Sequence, residues 1–99
     1  MPTPEEILHE FRDFLHPKAE GKIRGTAKLV LENIGSISLD ITGARLADDP
    51  ADVTLTASET TFRRILSGGQ NPIMAVMARK LKVDGSPERA LKVAGLLVG

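Results

Sequence analysis

Hydrophobic and polar positions follow two periods along this chain, and each change of period marks a new element. Ile7, Leu8, Phe11, Phe14 and Leu15 recur at helical spacing behind Thr3-Pro4-Glu5-Glu6, a capping box with proline at the first helical position. The helix is expected to run to about His16, where Pro17 stops it. Ala27, Leu29 and Leu31 then alternate with Lys28, Val30 and Glu32, and Ile37, Leu39 and Ile41 alternate with Ser38, Asp40 and Thr42. Asn33 to Ser36 forms the turn between them, with Gly35 available for a positive φ. The pair predicts an antiparallel hairpin with one packed face and one wet face. A short strand at Ala44-Arg45-Leu46 and another at Val53-Thr54-Leu55-Thr56 come next, separated by the turn cluster Ala47 to Pro50.

The period lengthens again after Ser58, an N-cap for a helix from Glu59 to Leu66 that carries Phe62, Ile65 and Leu66 on one face and stops at Gly68 or Gly69. Asn71-Pro72 opens a second short helix, Ile73 to Ala78, and Arg79-Lys80 closes it with positive charge. No residue of that helix is polar. A helix apolar all round needs cover on every side, which a chain of 99 residues has few layers to supply. Leu81 and Val83 mark a strand closed by Gly85, and Ser86-Pro87 opens a last helix whose Ala90, Leu91, Val93, Ala94, Leu97 and Val98 span nearly half its circumference. The order predicts a single α+β domain over residues 1–99: a twisted, mainly antiparallel sheet of about five strands with helices on one face. From pattern alone, three outcomes remain open for the apolar excess: a cavity between the layers, an interface with a second copy, or a tightly filled core. Met74 and Met77 suit an irregular cavity wall and serve equally as gap-filler.

Composition narrows the function. With 41% hydrophobic and 26% charged residues and no apolar run of membrane-spanning length, the chain reads as an ordinary globular protein. There is no Cys, and the first residues are acidic where a secretory signal is basic, so a cytoplasmic protein is expected. Net charge is zero but divided: residues 1–60 carry six Lys/Arg against eleven Asp/Glu, and residues 61–99 carry seven against two. Either the two parts attract each other within the fold, or Arg79, Lys80 and Lys82 form a basic rim for an anionic membrane surface. Nucleic acid is not expected as a partner, because three Phe are the only aromatics and zero net charge is weak for tracking phosphates.

Candidate chemistry is sparse. His9, Asp13 and His16 share one helix face but lack a fourth ligand, and Asp48, Asp49 and Asp52 sit where turns favour Asp for local backbone reasons. Ser67-Gly68-Gly69 lacks the Gly-Lys-Ser/Thr of a phosphate loop. No nucleophile and base can be placed together, so no catalytic residue, metal or cofactor is expected.

Ala51 to Ser58 with Phe62, then Gly69, Asn71-Pro72, Met77, and Lys80-Leu81-Lys82-Val83-Asp84-Gly85 followed by Ala90 and Leu91 resemble the sterol carrier protein type two family. The resemblance is close from Ala51 to Leu97 and limited to pattern before that. It implies a hydrophobic tunnel enclosed between sheet and helices, and non-covalent binding and transfer or presentation of fatty acyl chains, acyl-CoA esters, sterols or isoprenoids. It implies no catalytic residues. The ligand-binding set expected on this basis is Phe62, Ile65, Leu66, Ile73, Met74, Met77, Leu81, Val83, Leu91, Ala94 and Leu97, with Gln70 a polar contact at the mouth. Met77→Arg is expected to abolish fatty-acid binding. Gln70 stands where the family often has Lys, Arg79 where it often has Gly, and the chain lacks both the Trp of many relatives and a peroxisomal address at its end, which suits a stand-alone bacterial-type domain. The alternative is a protein-interaction or dimerisation module, or an accessory subunit of a lipid-metabolising enzyme.

Overall fold

The computed structural model describes residues 1–98. Helix α1 (Pro4–Ala19) is followed by strands β1 (Ala27–Leu31), β2 (Gly35–Asp40), β3 (Gly43–Leu46) and β4 (Val53–Ala57), helices α2 (Glu59–Leu66) and α3 (Pro72–Met77), strand β5 (Leu81–Gly85) and helix α4 (Pro87–Val98). The strands form one sheet in the order β3-β2-β1-β4-β5. Every neighbouring pair is antiparallel except β1 and β4, which run parallel, so the sheet is mainly antiparallel, as expected from the sequence, with one parallel pair.

Register explains the packed face. Across the sheet, Leu46, Ile37, Leu29, Leu55 and Val83 fall in one row, with Ala44, Leu39, Ala27 and Val53 in the next. The alternate rows carry Arg45, Ser38, Lys28, Thr54 and Asp84, which leaves the other face mainly polar. Helix α1 lies on β2 and β3, and α4 lies on β4 and β5 while also touching α1, α2 and α3. Gly35 permits the close approach of α1. A β-carbon there would stand 2.7 Å from Leu8 Cδ1.

Local chemistry accounts for the ends of the elements. Thr3 Oγ1 accepts from the Glu6 N–H at 3.2 Å, Ser58 Oγ accepts from Thr61 N–H at 3.1 Å, and Asn71 Oδ1 accepts from Ile73 N–H at 2.8 Å. Two sequence expectations are corrected. Pro17 does not stop α1, because in the last turn it forfeits a single intrahelical bond while the buried Ala19 and Ile23 anchor the chain on its C-terminal side. In the hairpin turn Gly35 takes the positive φ expected of it, at 154°, and Asn33 takes one as well, at 64°. Ile41 lies beyond the end of β2, in the turn, and is exposed.

That turn has a pH consequence. Asp40 accepts from the Thr42 hydroxyl, from the Arg45 guanidinium and from the Thr42 N–H, and these bonds hold its carboxyl down to about 2 from an ordinary 3.8. A carboxyl more acidic in the folded state than in the unfolded one contributes stability above about pH 4, and that contribution is lost as pH falls toward 2. Asp40→Asn is therefore expected to flatten the acid side of the thermal-stability curve between those values. Solvent screening at this partly exposed pair keeps the effect small. An acid limb with unchanged slope in the variant would remove the assignment.

Candidate functional site

The chain's apolar excess divides into a buried core and an uncovered surface. Phe62, Ile65, Leu81 and Leu97 are buried in one cluster with β1 and β4 residues, Leu66 and Val83 pack against it half-buried, and Ala94 is buried outside that cluster. Around α3 the situation reverses. Ala75 is fully buried, while Ile73 is 51% exposed, Met74 57%, Val76 40% and Met77 73%, with Leu91 of the neighbouring α4 at 47%. Gln70 is half-buried, and its side-chain amide donates to the Asn71 carbonyl at 3.3 Å. The residues singled out from the sequence thus fall into an inner and an outer group. Alternation along β5 turns Lys82 toward the polar face of the sheet, away from Leu81 and Val83, so Arg79 and Lys80 are the cations that flank α3.

Two grooves open between the elements. The first, about 500 Å³, runs between α1 and α2 over Phe11, Phe14 and Leu66. Arg63 bridges its edge, pairing with Glu10 at 2.6 Å and Glu59 at 2.6 Å while its guanidinium lies 5.0 Å from the centre of the Phe11 ring. The hydrogen bond from Arg63 holds the Glu10 carboxyl below its ordinary value. That pair cancels most of the charge along this rim.

The second groove, about 620 Å³, lies between α4 and the segment joining α1 to β1. Its floor is Ile23, Val93 and Leu96, and its rim carries the basic side chains Lys22, Arg24, Arg89 and Lys92 with no acidic lining residue. Its volume falls within the roughly 300–1,000 Å³ common for small-molecule sites. Gly25 makes this rim possible. Its φ of 70° turns the segment back, and a β-carbon there would collide with the Arg89 guanidinium and the Asp52 carboxylate. Arg89 is held by a hydrogen bond to the Arg24 carbonyl and lies 3.7 Å from Asp52 Oδ2, which in turn accepts from Thr26 N–H at 3.1 Å. Asp52 answers one of the four cations; Lys22, Arg24 and Lys92 have no ion pair among the described residues.

This arrangement can take an amphipath with an anionic end: fixed positive charge stands around an apolar floor, where local field is focused by low-dielectric walls. Sequence reasoning missed it. The only local signal was Lys22 and Arg24 between Gly21 and Gly25, and their partners on α4 lie some 65 residues away in the chain. The three ligand candidates on one face of α1, His9, Asp13 and His16, do not gather: His16 Nδ1 accepts from Ala44 N–H at 3.1 Å, and among the described residues no group of three His, Asp or Glu could hold a metal. No described helix is long and apolar enough to cross a membrane.

Residues 6–98 match the SCP-2 sterol transfer family. Among solved structures, sterol carrier protein 2 from Yarrowia lipolytica in its apo form is 25% identical with a TM-score of 0.72, over 92% of this chain and 86% of that one. Sterol carrier protein-2 from Aedes aegypti in complex with the C16 fatty acid palmitate has a TM-score of 0.76 at 16% identity, over 98% and 96% of the two chains. The sec-alkylsulfatase Pisa1 from Pseudomonas sp. shares the fold at 22% identity and a TM-score of 0.69, over 99% of this chain but 17% of its own. No sequence among curated proteins matches.

Proposed function

Since the chain belongs to the SCP-2 sterol transfer family, we propose that it binds and transfers lipid without catalysing a reaction, and that its ligand is an anionic amphipath of the fatty acyl class. The observation that carries this reading is the second groove, where Lys22, Arg24, Arg89 and Lys92 ring the apolar Ile23, Val93 and Leu96. A sterol offers such a rim only a hydroxyl. A carboxylate or phosphate ester would exchange water for several charge-assisted hydrogen bonds. The palmitate in the Aedes aegypti protein supports the ligand class by analogy of fold.

The residues singled out from the sequence enter the proposal in two groups. Phe62, Ile65, Leu66, Leu81, Val83, Ala94 and Leu97 form the wall that a long acyl tail reaches when α4 lifts from the sheet. Ile73, Met74, Met77 and Leu91 form the face presented when ligand is handed on, and Gln70 stands where α2 gives way to α3. Met77, most exposed of these, borders neither groove. Loss of fatty-acid binding in Met77→Arg would therefore move the binding site to α3.

The test is a fluorescent fatty-acid titration of Lys22→Glu/Lys92→Glu. Both side chains are outside ion pairs, so the variant is expected to fold, to bind fatty acid at least about tenfold more weakly, and to bind an uncharged fatty alcohol almost as before. Equal affinity for the acid in both proteins would overturn the head-group assignment.

A further inference from the structure

We propose that α3 is a docking surface for an anionic lipid bilayer, with Ile73, Met74 and Met77 entering the acyl boundary and Arg79 and Lys80 meeting the head groups. The inference rests on the carrier reading only in that a carrier must meet a membrane. Its own basis is the geometry of one short helix.

Most of the surface of α3 does nothing for the fold. Ala75 anchors it, buried on the core and accepting from the Lys80 N–H at 2.8 Å, while Asn71 caps its start. The bulkier side chains on every other side point into solvent, and α4 adds Leu91 beside them. An apolar face of this breadth on a small protein marks a surface that meets something. Charge says what. No Asp or Glu occurs from Thr60 to Val83, a stretch that includes Arg63, Arg64, Arg79, Lys80 and Lys82. Arg63 is paired; Arg79 and Lys80 have no ion pair among the described residues, although elsewhere Lys28, Arg45 and Arg89 each lie beside a carboxylate.

Arg79 adds a second reason. It occupies the left-handed region at φ 61°, where glycine would sit without strain. The chain thus accepts a strained backbone at the end of α3 and keeps a cation there. Positive charge does suit a helix C-terminus, but α3 is a helix of only six residues, and Lys80 beside it already supplies that charge.

Among the occupants this surface could take, a second copy fits poorly. A two-fold interface centred on α3 would bring Arg79 and Lys80 of both copies together, and the segment from Thr60 to Val83 holds no acidic residue to answer them. An anionic bilayer offers acyl chains to the methionines and phosphates to the cations at once.

Sedimentation with vesicles tests this, using phosphatidylcholine alone and phosphatidylcholine containing about a third phosphatidylglycerol. The full chain is expected to bind the anionic vesicles, to leave the neutral ones in suspension, and to release as salt rises through the screening range. Met74→Gln/Met77→Gln should bind at least about tenfold less at unchanged circular dichroism, and Arg79→Gly should bind several-fold less while melting at a higher temperature. Arg79→Gly should keep wild-type fatty-acid affinity in solution, which separates failure of docking from failure of the carrier reading. Vesicle binding that is absent, salt-independent or equal in the Met74→Gln/Met77→Gln variant would overturn the proposal. So would a wild-type dimer in light scattering that the same substitutions convert to a monomer.

Discussion

Gly95→Phe is expected to reduce fatty-acid affinity at least about tenfold, or about 1.4 kcal/mol, in a protein that melts no lower than wild type. Gly95 lies inside α4 and lines the basic groove, and a β-carbon built there meets no atom within 4 Å. The space beside it is the groove itself. Glycine inside a helix costs about 1 kcal/mol relative to alanine through backbone entropy, so almost any side chain at this position favours the fold. A phenyl ring projecting from Gly95 would lie over the floor made by Val93 and Leu96 and exclude an acyl chain from it. Gly95→Ala separates the two effects: it should raise stability by roughly 0.5–1 kcal/mol and leave binding nearly intact. Fluorescence titration and thermal melts on the same samples read both quantities. Wild-type affinity in the phenylalanine variant would place the lipid elsewhere, in the α1–α2 groove or under α3.

The elements were legible because their signals are local. Thr3, Ser58 and Asn71 each declared a helix start by a side-chain oxygen that caps the first turn, and the rows through Leu29, Leu55 and Ile37 came from a period of two. The features that stayed hidden depend on contacts distant in sequence. Parallel pairing of β1 with β4 is a choice of neighbour that strand alternation does not encode. Pro17 can remain helical because Ala19 and Ile23 find cover, which the residues around Pro17 do not announce. The all-apolar α3 was read correctly as a helix and as a surplus. Its exposure contradicts the ordinary rule that such a helix is buried, and departures from a local rule tend to fall where function makes its demands. The basic groove is the extreme case, since its rim exists only once Gly25 has brought the α1–β1 segment against Arg89.

Leu29→Ala is expected to destabilise the protein by about 3 kcal/mol, and Met77→Ala by less than about 0.5 kcal/mol. Leu29 is fully buried on β1, between Ile37 of β2 and Leu55 of β4, so its truncation leaves a cavity that the central strands of the sheet cannot close without losing register. Against a total of about 5–15 kcal/mol for a domain of this kind, such a loss is large, and at roughly 4–8 °C per kcal/mol it lowers the melting temperature by more than about 10 °C. Met77 is 73% exposed, and its side chain gives the folded state little to lose. The pair of substitutions therefore asks where the chain's apolar residues act. If only Leu29→Ala shifts the melt, the core under the sheet carries the fold and the face of α3 is held in reserve for something outside the chain. If Met77→Ala shifts it comparably, α3 is covered in solution. Neither the bilayer surface nor the division between inner and outer residues would then stand.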